Sequence, residues 1–289
     1  MSIWDRLANL DRRIYYIILI LVVAMPIVKP WGLPIKVGKE AEDFFATVDK
    51  LPQGGTVLLV INYRTDCIVE MNPQVVCIFK HVLEKDGKII MISGVDEGAM
   101  VSQIAAEHVT EQMGAEYGVD WINLGYKPGG DVFMKKMVDN FWEASAYSDM
   151  NGDSLDKFPI MKGFNSLAQA DLVLNLVAVV PSPGEKLLQM AIIPTGVPYA
   201  VGTTALQTTS EMVFYSSGHY QGILAGLRGA AEYEFLLGHP GAAITGMDSQ
   251  SAAHILVIVL IALGNLGYFL GEKKRGKSAH GSPRGGDVS

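Results

Sequence analysis

The chain has 289 residues, enough for one sizeable domain plus anchoring segments, with an apolar share of 49% and a mean hydropathy of +0.24. Its net charge of −7 is unevenly placed: residues 32–251 hold 14 Lys/Arg against 26 Asp/Glu, and the flanks hold 9 against 4. An acidic middle repels a phosphate backbone, which excludes nucleic acid as a partner. Two cysteines, Cys67 and Cys77, make neither a disulfide framework nor a zinc set, and burial as small apolar side chains is expected of both.

Residues 1–13 are polar and end in Asp11-Arg12-Arg13. Residues 14–31 follow as a first membrane span, an uncharged Ile14–Val28 run with Tyr15 and Tyr16 at one edge and Trp31 at the other, as interfaces favour. A cleaved signal peptide has an apolar region of this length, but Ala24-Met25-Pro26 lacks a small-x-small cleavage site. An uncleaved anchor is therefore expected.

Residues 32–251 read as the main domain. Gly32–Lys50 is a connector with a short helix whose apolar face is Phe44, Phe45 and Val48. Thr56–Ile61 and Lys88–Ser93 are β-branched and aliphatic runs between turn signals, hence buried strands. Trp121–Leu124, Leu172–Val180 and Gly196–Gly202 continue the series. Between them the spacing predicts helices over Asn72–Glu84, Glu97–Met113 (with Met100, Ile104, Ala105 and Val109 on one side) and Asp131–Trp142. Tyr147–Phe158 is a polar loop. Continuous apolar strands alternating with helices predict an α/β domain: a three-layer, doubly wound, mainly parallel sheet flanked by an N-terminal and a C-terminal transmembrane helix. In this order of elements alone it resembles flavodoxin-like and periplasmic-binding-like domains.

Thr209–Leu237 lacks proline and follows a cap signal, so it is predicted as one long helix, with a break near Gly218 as the alternative. Gly218, Gly222, Gly226 and Gly229 would then lie along one side, a stripe suited to close backbone approach, either against the domain's own sheet or as an oligomer contact between protomers. Leu187–Leu227 contains one formal charge, Glu211, and its apolar surface needs a cover.

Residues 252–270 form the second span, uncharged and about long enough to cross the hydrocarbon core. Lys273, Lys274, Arg275 and Lys277 open a basic tail, 271–289, expected to be disordered. Basic residues outside both spans, Arg6, Arg12 and Arg13 at one end, put both termini in the cytoplasm and the acidic domain outside the cell membrane. Lys29, Lys36 and Lys39 on the far side of the first span are fewer per length than the C-terminal cluster.

Ligands of doubly wound sheets sit beyond the carboxyl ends of the strands. Those ends hold Asn62, Arg64 and Asp66, then Ser93 and Asp96, then Lys127, then Thr203, a rim suited to a polar small molecule. Gly125–Gly130 departs from both the dinucleotide and Walker A patterns, and Asp131 after it would repel phosphate. No G-x-S-x-G or H-E-x-x-H occurs, so no catalytic residue, metal set or cofactor is assigned. His108 and Glu111 share a helix face without further ligands, and His81, His219 and His239 have no readable partner. The function expected first is a membrane-anchored structural or interaction protein that self-assembles or docks membrane-complex partners. An anchored module sensing a polar small molecule comes second, and a divergent hydrolase-type enzyme third.

Overall fold

The computed structural model describes residues 11–179 and 182–279. They fall into two compact units, Pro34–Ile244 and the segments before and after it.

The first unit is a single sheet of six parallel strands in the order β3-β2-β1-β4-β5-β6. The strands are β1 (Thr56–Asn62), β2 (Lys88–Ser93), β3 (Trp121–Tyr126), β4 (Leu172–Val177), β5 (Tyr199–Thr203) and β6 (Ile223–Ala225). All but their end residues are buried, as both faces of a parallel sheet must be. Alternation along β1 divides the core: Val57, Leu59 and Ile61 join one cluster and Leu58 and Val60 the other. The first cluster packs under α2 (Lys39–Asp49), α3 (Ile68–Glu84), α4 (Asp96–Met113) and α9 (Gly226–Leu237). The second packs under α5 (Gly130–Asp139), α6 (Phe141–Ala144), α7 and α8 (Thr208–Ser216). Helix α7 begins at Pro183–Leu187 and runs on through a π-helical turn, Leu188–Ile192, to Ile193–Thr195.

The expected parallel α/β architecture is present, with differences of detail. The strand order places the switch point between β1 and β4, not at the flavodoxin-like position. The helix predicted over Asp131–Trp142 breaks at Asn140, whose extended backbone and side chain cap α6. Ser182-Pro183-Gly184, a turn signal in sequence, opens a helix. Ser182 Oγ accepts from Gly184 N at 3.1 Å and Pro183 takes the first position of α7. On α4 the buried side is Val101, Ala105 and Val109, while Met100 and Ile104, one turn apart, are 55% and 62% exposed. Val180, at the end of the predicted fourth strand, lies outside the described residues.

The largest correction concerns Thr209–Leu237. It is not one helix but α8, a turn, β6 and α9, so the four glycines share no face. Gly218 turns the chain at φ +80°, and Gly226 has φ +59° at the start of α9. A Cβ on Gly222 would fall on the backbone of Phe44, and one on Gly229 on the backbone of Leu224. These contacts are internal to the domain, and the stripe argument for an oligomer contact goes with the helix. The charge-poor Leu187–Leu227 segment is covered from within only in part: Leu188, Ala200, Val201, Ile223 and Leu224 are core residues and Glu211 is buried, while Ile193, Leu206 and Val213 are exposed.

In the second unit, α1 (Arg12–Val28) and most of α10 (Ala242–Ala279) present apolar side chains outward, among them Ile17, Ile20, Leu21, Ile255, Ile258 and Ile261. Among the described residues one helix is long and apolar enough to cross a membrane, over Ala242–Leu266. Two were expected. Helix α1 has 17 residues, and α10 starts ten positions before the predicted Ala252. Helix α10 runs to Ala279, into the basic tail. Residues 1–10 and 280–289 of the two expected cytoplasmic segments lie outside the described residues.

Candidate functional site

The carboxyl ends of β1, β2 and β3 frame a cavity of about 210 Å³ next to the switch point. Asn62 closes it from β1, Gly94 and Val95 from β2, and Lys127 from just after β3. Helix α5 contributes Gly130, Asp131, Phe133, Met134 and Met137, and the far wall is Val179 with Pro183, Lys186 and Leu187 of α7.

Local structure fixes each polar group. Lys127 N donates to Ser93 O at 2.9 Å, so the chain leaves β3 beside the end of β2. The β2–β3 register shifts between Met91 and Ser93, which aligns Ser93 with Tyr126 and brings Lys127 to the rim. Gly125 has φ +78° and passes against the backbone of Met150, a path with little room for a side chain. The Lys127 side chain then runs inward, only 8% exposed, and Nζ donates to Ser148 O at 3.0 Å. Burial pushes its ammonium below the ordinary lysine value, and the nearby Asp149 carboxylate partly offsets this.

Asn62 is held by a buried relay. Its Nδ2 donates to Asn175 Oδ1 at 2.9 Å, and Asn175 Nδ2 donates to Tyr199 Oη at 2.8 Å. The Asn62 side chain lies over Gly94, where a Cβ would come 2.6 Å from Oδ1. Behind α7, the buried Glu211 carboxylate accepts from Ser182 Oγ at 2.6 Å and Tyr220 Oη at 2.8 Å. At the mouth Lys186 Nζ and Asp131 Oδ1 pair at 2.8 Å, so those two charges cancel locally. Met134, Met137, Phe133 and Leu187 make the rest of the wall apolar.

Of the seven rim residues read from the sequence, the fold brings Asn62 and Lys127 into this cavity. Arg64, Asp66 and Asp96 are exposed outside it, Asp96 Oδ1 accepting from Glu97 N at 2.9 Å. Ser93 is fully buried with its hydroxyl committed to Ile61 O and Val95 O. Thr203 is buried at the end of β5, away from the cavity lining, and its Oγ1 has no partner among the described residues. Sequence reasoning missed Asp131, Lys186 and the methionines of α5. The signal for Asp131 and Lys186 was a charge at the first turn of each of two helices following a strand.

The histidines have partners that linear spacing concealed. His81 Nδ1 meets Tyr233 Oη at 2.7 Å, His219 Nδ1 meets Ser217 Oγ at 2.8 Å, and His239 Nε2 meets Glu84 Oε1 at 3.1 Å. Both cysteines are free. Cys77 is buried as expected and Cys67 is half-buried. Among the described residues no group of three His, Cys, Asp or Glu side chains is arranged to hold a metal ion. A second cavity, of about 280 Å³, lies at the amino ends of β4 and β5 beside Asp171, Pro198 and His219, at the opposite end of the strands from their carboxyl ends. No family model, curated protein or solved structure matches the chain.

Proposed function

We propose that the chain is a membrane-anchored binding module whose α/β domain takes a small molecule at the carboxyl ends of β1, β2 and β3. The observation that carries this is the cavity beside the switch point, where open parallel sheets bind ligands, with one buried lysine among apolar walls. Its volume is below the roughly 300 Å³ at which pockets for drug-sized ligands begin, so the ligand is small.

The anchoring is proposed as two antiparallel spans, α1 and α10, with both termini cytoplasmic and the domain extracytoplasmic. Apolar side chains exposed along both helices favour a lipid surrounding, and the basic residues flanking them favour this orientation. Self-association or docking of a membrane partner is a second reading, favoured by the exposed Met100 and Ile104 on α4.

The test is a thermal-shift screen of small polar metabolites on the detergent-extracted full chain, with Met134→Trp as the filled-cavity control. Stabilisation of the wild type that the variant lacks is the expected result. A screen in which no compound separates the two proteins overturns the binding reading, and a stable oligomer on native mass spectrometry then favours the second.

A further inference from the structure

We propose that the occupant of the Lys127 cavity is a small organic carboxylate, its anionic group on the Lys127 ammonium and a short apolar body against α5 and α7. This rests on the binding reading above and adds the chemical class of the ligand.

Lysine is almost never buried to this degree without a counter-charge. An ammonium has three N–H donors, and one of Lys127's goes to Ser148 O. Among the described residues no carboxylate lies within ion-pair distance of its Nζ. The nearest acidic influence, Asp149, is engaged elsewhere: Oδ2 accepts from Tyr117 Oη at 2.9 Å, and Oδ1 from Asn151 N and Asp153 N. The other lysine of the wall, Lys186, is neutralised by Asp131. The charge left over in the cavity is therefore Lys127's, and it is positive.

Two further features agree. Gly130, the first residue of the ten-residue α5, lines the cavity, so the positive end of that helix faces the same space. A carboxylate at Lys127 would also raise the lysine's depressed affinity for its proton. Apart from Asn62 and the Lys186–Asp131 pair, the side chains of the remaining wall are apolar, Phe133, Met134, Met137 and Leu187 among them, and they favour a hydrocarbon body over a strongly hydrated ion such as free phosphate. The combination selects a carboxylate with a short aliphatic or aromatic body.

Isothermal titration of the full chain in nanodiscs with hexanoate, hexanamide and hexylamine tests this. Hexanoate should bind at least about tenfold more tightly than hexanamide, as a charge-assisted hydrogen bond implies, and hexylamine should bind most weakly. Lys127→Met should erase the preference for hexanoate while hexanamide binding persists, which shows the cavity intact. Should that variant fail to fold, the wild-type order of the three probes decides. Equal binding of hexanoate and hexanamide, or a preference that survives Lys127→Met, overturns the carboxylate proposal and leaves the binding module standing. Binding of none of the three overturns the carboxylate proposal, and the metabolite screen then decides the binding reading by itself.

Discussion

Asp248 accepts the backbone N–H of Trp31 at Oδ2, 2.8 Å away, across 217 positions of sequence. The same carboxylate takes Gly32 N at 2.9 Å and Leu33 N at 3.1 Å, so the segment leaving α1 is bound to the first turns of α10. Three N–H groups converging on one carboxylate are a charge-assisted set, and Asp248 is 2% exposed. Asp248→Ala leaves these donors without an acceptor and should cost about 1–3 kcal/mol. Asp248→Asn keeps one acceptor oxygen and should cost less. Melting temperatures of the detergent-extracted variants check the order, and equal melting of all three proteins would show the contact to be idle.

The same contact bears on topology. If α1 and α10 both span the membrane, the chain enters and leaves the domain on one side. Single cysteines replacing Ser2, Asp153 and Ser282 should then divide on labelling of intact cells: Asp153→Cys reacts with an impermeant reagent, and the other two react only after permeabilisation. Reaction of Ser2→Cys from outside would leave α10 as the single span.

The sheet was legible because its first five strands are short runs rich in aliphatic, β-branched and aromatic residues between turn signals. The last, Ile223–Ala225, is three residues long and sits among glycines, so helical periodicity overrode it. Two positive-φ positions, Gly218 and Gly226, cut the presumed helix, and a sequence does not display φ. The site was legible only as a rim. That Lys127 turns inward depends on the β2–β3 register shift and on the path past Met150, which are contacts between distant segments. The same holds for the Tyr233 partner of His81.

Internal packing at Gly222 gives a test against the former stripe. An alanine methyl there would meet the backbone of Phe44, which cannot move aside as a side-chain tip can. Gly222→Ala should therefore destabilise by about 1–3 kcal/mol or more. Gly218 has open space at its Cβ position, so Gly218→Ala should cost only the positive-φ strain, about 1–2 kcal/mol. Thermal melting should rank Gly222→Ala below Gly218→Ala, with the native mass of each equal to that of the wild type. A mass change in either variant without loss of melting temperature would return these glycines to an interface.

The pH dependence of stability should carry a His81 contribution of predictable sign. His81 is buried on α3, stacked on Phe45 with ring centres 4.5 Å apart. Its Nε2 lies 3.6 Å from Asp49 Oδ1, and its Nδ1 lies against the Tyr233 hydroxyl of α9. An acceptor at Nε2 and a hydroxyl at Nδ1 suit the neutral ring with its proton on Nε2 and Nδ1 accepting from Tyr233. Burial lowers the His81 pKa, Lys85 adds to the lowering, and Asp49 and Glu84 oppose it without reversing it. In the unfolded chain the ring titrates near 6.5. Above about pH 6.5 both states are neutral and this residue adds no slope. Below it the unfolded chain takes a proton that the folded one resists, so stability falls as pH drops from about 6.5 toward the lower folded value. His81→Gln cannot titrate. Melting temperatures of the two proteins between pH 5 and 8 should therefore converge toward the acid end, the wild type losing more than the variant below about pH 6.5. Parallel curves across that range would mean that His81 keeps its ordinary pKa in the folded protein.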